Sequence, residues 1–552
     1  MRHVTRYVLP AIGLILLGAV LGVQVNSFTS DDTAYEQLQK LERSFVIITR
    51  QYVDEVESKK LVEEGIEGML NALDPHSTYI PAEDVQRVQD SYRGSFGGIG
   101  VMFEVVEDTA RVISPIADGP SERLGIMAGD RIVGIEDETA VGIGTNGIQE
   151  RLKGEVGTEV TITIYRPGTS QEEDYTITRD EIPMHSINTS YMSDDRTGYV
   201  KIDRFAMTTH DEFMEHVGEL REQGMQRLVL DLRGNPGGVM RSAIEVADEM
   251  LGAGLSIVET RGRERSMNTT FNASGGGSLE DTPVIVLVDQ GSASASEIVS
   301  GALQDHDRAL VVGRRTFGKA LIQKQFDLDD SSLLQMTVGR YYTPLGRLIQ
   351  TPYENGDQEQ YIERMMADQE AATFDPSAYR ESVPDSLVFE TEHGREVFGG
   401  GGIMPDIVVQ PDTSSLTNFV STVNMDFAFI RNWFAQNEQH VRSSWGDDAD
   451  VFLEEFSTPD SLVTSFWEFT EERGMSYTSD PGEVAPSQGT FLYADRTNSE
   501  EMLRLRLKGF LARQLFGLRT AQPTLNETDP IYRHALSLWD DAEELAALHP
   551  RR

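Results

Sequence analysis

The feature that most constrains the fold is a repeated pattern of apolar strand, small-residue turn and helix in the middle of the chain. RLVLDLRG at 227–234 is apolar enough to be buried on both faces and ends in the glycine turn NPGG at 235–238. TPVIVLVDQ at 282–290 leads into GSASAS at 291–296, and RALVVG at 308–313 supplies a third strand. Strands that alternate with helices favour a layered α/β core whose ligands bind at the strand-to-helix turns. We therefore expect the chemistry at these two turns.

The second turn carries three serines, Ser292, Ser294 and Ser296, which alternate with alanines. Ser294 and Glu297 form the pattern S-x-x-E ahead of an apolar run, which is typical of a capping box worth about 1 kcal/mol. The same position would present the Ser294 hydroxyl at the sheet edge, beside free amides at the positive end of a helix. Such amides suit an oxyanion. Ser294 is therefore the candidate nucleophile, a helix cap is the alternative, and the flanking serines are expected to be structural.

A serine hydroxyl is a poor nucleophile unless a base takes its proton. His306 is the nearest histidine in sequence, but along a helix it would lie about three turns, roughly 18 Å, from Ser294. Lys319 in GRRTFGKA is the other candidate, with Gln323 four residues later as a hydrogen-bond partner. A lysine acts as a base at neutral pH only if burial lowers its pKa, and Ser-Lys pairs are a variant of the catalytic triad. His76, in LDPHSTYIP, is predicted to serve a turn and not catalysis.

The segment from Gly313 to Lys319 also matches the phosphate-binding pattern G-x-x-x-x-G-K after an apolar strand. That pattern needs Ser or Thr next, and this chain has Ala320. The following run ALIQKQFDL alternates like a strand and does not open a helix. We therefore expect no nucleotide site here.

The first residues of the chain have the composition of a membrane segment. Val8 to Val23 contains no charged residue, Arg2 and Arg6 precede it, and Asp31 and Asp32 follow it. No A-x-A cleavage site follows, so the pattern predicts an uncleaved anchor, with a cleaved secretory signal as the alternative. The charge distribution places the rest of the chain outside the cytoplasm.

Composition excludes several classes of chemistry and partner. The absence of cysteine removes disulfides, thiol catalysis and cysteine-ligated zinc. The net charge of −42 disfavours nucleic acids and anionic lipid surfaces as partners. High acidity with few lysines also suggests adaptation to a saline medium, where salt screens self-repulsion.

Short alternating strands such as GIGVMFEVV and TEVTITIYRP follow the first helical segment. The glycine-rich GGIG at 97–100, a Pro-x-x-x-x-Gly run at 120–125 and AGDRIVGI together resemble a PDZ domain, although GGIG alone could be a hairpin turn. A PDZ groove binds an extended chain end by strand addition. The resemblance implies that the terminal carboxylate of a peptide is held by the loop residues Gly98, Ile99, Gly100 and Val101.

Five motifs then resemble the carboxyl-terminal processing peptidases, the tail-specific serine peptidases of family S41: DLRGNPGG, GSASASEI, RRTFGK with a glutamine four residues later, RYYTPLGRLIQ and GGIMPDIVV. The resemblance covers about residues 33 to 410. It implies Ser294 as nucleophile, Lys319 as base, Gln323 as its orienting partner, and an oxyanion hole made by Gly237 or Gly238 with Ala295. It also implies ATP-independent cleavage near free nonpolar carboxyl termini, gating by the PDZ domain, and neither metal nor cofactor.

The expected fold is multidomain α/β, with a layered peptidase core of ClpP/crotonase-like type. The expected domains are an anchor at 1–30, a helical module at 31–90, a PDZ domain at 91–182, a peptidase core at 183–410 with an acidic insertion at 352–400, and a helical extension at 411–552. The chain is expected at the cell membrane with its catalytic domains in the periplasm, and a homo-oligomer is compatible with the helical module. The alternatives are a catalytically silent PDZ scaffold and, among enzymes, an acyl-CoA-binding hydratase.

Overall fold

The computed structural model describes residues 32–548 except 107, 117–118, 128, 168–170, 355–356, 412–415 and 447. The predicted anchor at 1–30 therefore lies outside the described residues. Among the helices in the described part of the chain, none has the length and apolarity needed to cross a membrane. The chain divides into two compact units, with the boundary between Leu73 and Asp74.

The first unit contains the helices α1 (Asp32–Gln51) and α2 (Ser58–Asn71). The predicted helical module at 31–90 is thus divided, because the residues after Leu73 belong to the second unit. These residues form a short strand, β1 (Thr78–Ile80), and a helix, α3 (Ala82–Arg93). The segment LDPHSTYIP, in which a turn was predicted, therefore also contributes a strand to the core.

The PDZ-like region is a small sheet with two helices around a core of isoleucine and valine side chains. Its elements are β2 (Ser95–Gly98), β3 (Val101–Val106), β4 (Thr109–Pro115), α4 (Pro120–Arg123), β5 (Arg131–Ile135), β6 (Glu138–Thr139), α5 (Gly144–Leu152), β7 (Glu159–Arg166), β8 (Gln171–Thr178) and β9 (Asp180–Pro183). The order of its main sheet is β3-β4-β5-β7-β8, and β2 pairs separately with β9 where the chain enters and leaves the region.

The predicted catalytic core combines a six-stranded sheet with a five-stranded antiparallel sheet. Its elements are β10 (Thr189–Met192), β11 (Thr197–Lys201), α6 (Thr209–Glu222), β12 (Arg227–Asp231), α7 (Met240–Asp248), β13 (Ser256–Gly262), β14 (Thr269–Asn272), β15 (Val284–Val288), α8 (Ala295–Asp305), β16 (Leu310–Gly313), β17 (Leu321–Asp327), β18 (Leu333–Tyr342), α9 (Gln358–Phe374), α10 (Pro376–Ser382), β19 (Val388–Glu390), β20 (Glu396–Phe398) and β21 (Ile407–Val408).

The six-stranded sheet has the order β10-β11-β12-β15-β16-β21 and is parallel from β11 onward. Because β12 and β15 are parallel neighbours, the turns at their carboxyl ends lie side by side. The antiparallel sheet has the order β1-β18-β13-β14, with β17 also paired to β18. The run ALIQKQFDL is therefore a strand, as its alternation predicts, and no helix follows the GRRTFGK loop.

The acidic segment at 352–400 is more regular than its weak periodicity indicates, since it contains α9, α10, β19 and β20. Several of its side chains pack against the core, among them Tyr361, which is 4% exposed. Tertiary packing, which periodicity does not report, stabilises these helices.

The carboxyl-terminal extension has its own aromatic core and also completes the catalytic core. Its elements are α11 (Leu416–Thr422), α12 (Met425–Trp445), α13 (Ala449–Glu455), α14 (Asp460–Glu472), β22 (Ser476–Thr478), β23 (Thr490–Leu492), α15 (Tyr493–Phe516), α16 (Leu518–Asn526), α17 (Pro530–Leu536) and α18 (Trp539–Ala547). Side chains alternate along β12, with Leu228 and Leu230 facing α6, α7 and α8, and Val229 facing α17 and α18. The last two helices thus cover the second face of the sheet, as parallel sheets require.

Candidate active site

Ser294 lies at the turn between β15 and α8, in a backbone conformation that serine rarely adopts. Its φ of 53° and ψ of −107° place it in the left-handed region, where a non-glycine residue costs on the order of 1–3 kcal/mol. Hydrogen bonds hold it there: its N–H donates to the Glu297 carboxylate at 2.8 Å, and its carbonyl accepts from Ile298 N at 3.0 Å and from the Tyr341 hydroxyl at 3.0 Å. The turn therefore holds the serine ahead of the first helical turn.

The two neighbouring serines join the strand-end turns to each other. Ser292 Oγ donates to the Leu232 carbonyl at 2.8 Å, and Ser296 Oγ donates to the Asn235 carbonyl at 3.0 Å. Both side chains are fully buried. Their hydroxyls are used within the fold, which fits the structural role predicted for them.

The glycine turn after β12 leaves space in front of the serine turn. A Cβ at Gly237 would lie 2.8 Å from Ser294 Cβ and 2.9 Å from Ala295 N, and one at Gly238 would lie 2.0 Å from the Phe205 carbonyl oxygen. Gly237 N already donates to Asn235 Oδ1 at 2.9 Å. Among the hydrogen bonds of the described residues, none is donated by Gly238 N or Ala295 N. Of the two glycines that the sequence left open, Gly238 therefore has the amide available for an oxyanion.

Lys319 lies in the loop before β17, and among the described residues its amine has one hydrogen-bond partner. Its Nζ donates to Gln323 Oε1 at 2.9 Å, and Gln323 Nε2 donates in turn to the His76 carbonyl at 2.5 Å. Burial lowers the pKa of Lys319 below its ordinary value of 10.5, while Glu297 and Asp74 oppose the shift. The sequence thus anticipated the pairing of Lys319 with Gln323, and the fold adds a backbone acceptor behind the glutamine.

Glu297 connects the serine turn to the lysine loop and is the main feature that sequence reasoning missed. One carboxylate oxygen accepts from Thr316 Oγ1 at 2.6 Å and Gly318 N at 2.7 Å, and the other accepts from Ser294 N and from Lys319 N at 2.9 Å. Burial raises its pKa to about 7, against the four donors that favour the ionised form. The S-x-x-E pattern predicted only the bond to Ser294 N, because the other three donors come from a distant loop.

His76 lies beside Lys319, a position that its predicted role in a turn did not indicate. Its backbone N–H does form the turn, donating to Asp74 Oδ1 at 2.9 Å. Its ring contacts Phe317 and Tyr361 edge to face, with Nε2 3.2 Å from the Tyr361 hydroxyl. Burial, with a further contribution from Lys319, lowers its pKa to about 4, so the imidazole is neutral at physiological pH.

A cleft of about 810 Å³ brings these groups together, and its lining includes Ser294, Lys319, Gln323, Gly237 and Gly238. No hydrogen bond joins Ser294 Oγ to Lys319 Nζ in the described structure, and unliganded sites often hold such pairs loosely. Within the described ranges, no group of three or more His, Asp or Glu side chains is arranged to hold a metal ion.

The predicted peptide loop of the PDZ-like region runs from the end of β2 to the start of β3, that is, from Gly98 to Val101. The carbonyls of Ile99 and Gly100 accept from Ser121 N and Ile116 N, at 3.2 and 2.9 Å. The amides of Ile99 and Gly100 donate no hydrogen bond to any described residue. Two unpaired amides next to a strand are what a terminal carboxylate requires.

A serine at a strained strand-to-helix turn, the amides of Gly238 and Ala295 near it and a partly buried amine in the same cleft define the class of a serine-type peptidase, here joined to a PDZ-like region. Family models match accordingly: peptidase family S41 over residues 196–357, a PDZ domain over 97–177, and the activating protease CtpB N-terminal domain over 21–84.

The curated relatives narrow the class. Over 342 residues the chain is 37% identical to a carboxy-terminal-processing protease of Bartonella bacilliformis, covering 61% of this chain and 78% of the relative. It is 32% identical to the carboxy-terminal processing protease CtpB of Bacillus subtilis, covering 58% and 67%. A solved photosystem II D1 C-terminal processing protease is 26% identical, covers 69% of this chain and 94% of that one, and has a TM-score of 0.35. The chain belongs to peptidase family S41, among the carboxyl-terminal processing proteases.

Proposed function

We propose that this chain is an endopeptidase that cuts proteins near their carboxyl termini with Ser294 as nucleophile and Lys319 as base. The observation that carries the proposal is the partly buried Lys319 amine, hydrogen-bonded to Gln323 in the cleft that Ser294 also lines. A neutral lysine is a competent base, and burial favours the neutral form.

Attack by Ser294 Oγ on a peptide carbonyl transfers the hydroxyl proton to Lys319 Nζ and places negative charge on the carbonyl oxygen. The amides of Gly238 and Ala295 are the donors available to that oxygen. The C–N bond then breaks, and Lys319 gives its proton to the leaving amine. Water attacks the acyl-enzyme, Lys319 takes its proton, and Ser294 Oγ recovers one as the new carboxyl terminus leaves.

Substrate selection is proposed to start at the PDZ domain. The unpaired Ile99 and Gly100 amides, at the end of β2, would hold the terminal carboxylate of a nonpolar tail while the chain pairs with a strand. Amidation of the tail should therefore raise KM more than it lowers kcat. The uncharged segment Val8 to Val23 supports a membrane-anchored, extracytoplasmic location, and fractionation of cells expressing the full chain would test it.

The central test compares the wild type with Ser294→Ala and Lys319→Ala on a protein with a free apolar tail. We expect both variants to lose cleavage and to keep binding of the tail peptide. We also expect wild-type kcat/KM to rise with pH, since the lysine must lose its proton, along a limb centred below pH 10.5. Equal cleavage by wild type and Ser294→Ala would rule out the nucleophile, and activity that collapses above neutral pH would rule out the lysine base. Tail binding without cleavage by the wild type would favour the silent scaffold.

A further inference from the structure

The active-site cleft has a charge opposite to that of the molecule. The chain has 90 acidic and 48 basic residues, and only eight of the latter are lysines. Three of those lysines, Lys153, Lys319 and Lys324, line the cleft together with Arg87 and Arg204, whereas Asp90 is the only acidic residue in its lining among those that the structure describes. A cleft of one sign focuses the electrostatic field and concentrates ligands of the opposite sign.

Of these five cations, Arg87 pairs with Asp84 at 2.9 Å. The other four make no salt bridge with any described carboxylate. The Lys153 ammonium lies 4.5 Å from the centre of the Phe96 ring, and the Lys324 ammonium lies 5.4 Å from that of Phe326. Arg204 donates to the Met184 carbonyl, and burial lowers its pKa while the nearby Glu212 and Asp203 carboxylates oppose the shift. In a protein with an excess of carboxylates, cations left unpaired in a cleft remain available to a ligand.

These cations lie in different parts of the cleft lining. Arg204 immediately precedes Phe205, whose N–H donates to the Gly237 carbonyl at 2.9 Å, so it adjoins the glycine turn. Lys324 follows Gln323 on β17. Lys153 precedes Gly154, whose N–H donates to the Gly97 carbonyl at 3.1 Å beside the peptide loop of the PDZ-like region.

We infer that the cleft selects substrate segments with acidic side chains around the scissile bond, and that Lys153, Lys324 and Arg204 determine this specificity. The inference rests on the proposed peptidase function and adds to it a substrate class. The nonpolar tail would serve the PDZ loop, and acidic residues upstream of it would pair with the cleft. Such pairs at a solvent-accessible rim act mainly on the rate of association and on specificity.

The test uses the full chain and fluorogenic peptides that share one nonpolar tail and differ only in Glu or Gln at the positions flanking the cut. Each peptide is prepared with a free and with an amidated carboxyl terminus. We expect wild-type kcat/KM to favour the Glu peptide by about tenfold at low salt, and this ratio to approach one at about 1 M salt. The doubly substituted variant Lys153→Glu, Lys324→Glu should abolish or invert the preference.

The matched control is Arg131→Glu with Arg265→Glu, which changes the net charge equally at two exposed residues outside the cleft lining. This variant should keep the wild-type ratio of Glu to Gln peptides. A similar loss of preference in both double variants would assign the effect to overall charge and overturn the inference. The inference would also be overturned if kcat/KM depended on whether the carboxyl terminus is free or amidated but not on Glu or Gln at the flanking positions. The cations would then bind the terminal carboxylate. Failure of Ser294→Ala to abolish cleavage would instead refute the proposed nucleophile.

Discussion

The nucleophile turn (residues 289–298) is held mainly by itself and by the neighbouring glycine turn, whereas the base segment (residues 316–323) is held by groups from several distant parts of the chain. In the nucleophile turn, Ala293 N donates to the Asn235 carbonyl and Ser296 N to the Ala293 carbonyl. In the base segment, Gln323 is held by the carbonyl of His76, which precedes it by 247 residues. One half of the site is thus a property of two adjacent turns, and the other is a property of the assembled fold.

Two buried groups connect these halves. Glu297 accepts from N–H groups of both, and the Tyr341 hydroxyl donates to the carbonyls of Ser294 and Lys319, at 3.0 and 2.6 Å. A displacement of either half is therefore transmitted to the other through buried hydrogen bonds. We therefore expect that changes around the nucleophile turn abolish activity and that changes to the two connecting groups reduce it. Changes to the base segment should alter the pH dependence of activity.

The largest effect is expected from Gly237→Ala. The added Cβ would lie 2.7 Å from the Ala293 carbonyl oxygen and 2.9 Å from Ala295 N, and these are backbone atoms that cannot move aside as a flexible side chain can. It would fill the space in front of the Ala295 amide, so we expect kcat to fall by about 10²–10³-fold, as when an oxyanion donor is lost. Steady-state kinetics on a tail peptide measure this change.

Gly234→Ala is the matched control for that substitution. Gly234 lies in the same turn with a φ of 69°, but nothing lies within 4 Å of an added Cβ. It should cost only about 1 kcal/mol of stability from backbone strain. If both variants lost activity equally, the loss would reflect distortion of the turn and not the space before Ala295.

Glu297→Gln should have an intermediate effect. All four partners of this carboxylate donate to it, and three of them are backbone N–H groups that cannot reverse their role. The glutamine NH₂ group would face at least one N–H donor, leaving a buried donor unsatisfied at a cost of about 1–3 kcal/mol. We expect kcat/KM to fall roughly ten- to a hundredfold and the thermal unfolding midpoint to decrease.

Thr316→Val tests whether Glu297 acts through its backbone partners. It removes only one donor to the carboxylate and keeps the three N–H groups of Ser294, Gly318 and Lys319. Its effect on kcat/KM should be clearly smaller than that of Glu297→Gln. A glutamine variant with wild-type kinetics would mean that the two halves do not depend on this connection.

The same contrast explains how much of the molecule the sequence predicts. The strands at 227–231, 284–288 and 310–313, the helix after Ser294 and the strand after Lys319 follow from apolar periodicity and from small-residue turns, which are local signals. The pairing of Lys319 with Gln323 is also local, since four residues separate them. The family resemblance adds the assignment of Ser294, and the choice between Gly237 and Gly238 needed the hydrogen bonds of the fold.

Contacts that depend on tertiary packing could not be predicted in this way. Nothing in LDPHSTYIP indicates that His76 would lie beside Lys319, or that Tyr361 of the acidic segment would approach its ring. The sequence also did not predict that Ile531, Tyr532 and Trp539 cover the sheet. An amphipathic helix pattern shows that one face of the helix is buried, but it does not show which surface covers that face. The three bonds that Glu297 accepts from Thr316, Gly318 and Lys319 belong to the same category.

The smallest effect is expected from Gln323→Ala, which changes the base segment alone. Gln323 Oε1 accepts from Lys319 Nζ at 2.9 Å, a bond that favours the charged lysine and also orients it. Its loss should lower the pKa of Lys319 and shift the rising limb of kcat/KM to lower pH. The plateau of kcat/KM at high pH should fall roughly tenfold, the factor expected when a hydrogen bond worth about 1.5 kcal/mol is lost.

Gln325→Ala is the matched control, because Gln325 lies two residues further along β17 and donates to Gln335 Oε1 at 3.1 Å without contacting Lys319. Profiles of kcat/KM from pH 6 to about pH 10 should keep the wild-type midpoint in this variant, because it keeps the bond between Lys319 and Gln323 and reaches Gln323 Oε1 only through Gln335, whose Nε2 lies 3.4 Å from that oxygen. A lower plateau with an unmoved midpoint in Gln323→Ala would mean that Gln323 positions the lysine without affecting its proton affinity. A midpoint shifted to higher pH would contradict the assigned direction of the hydrogen bond. As an acceptor, Gln323 Oε1 stabilises the ammonium form of Lys319, so its removal should lower the pKa of the lysine and not raise it.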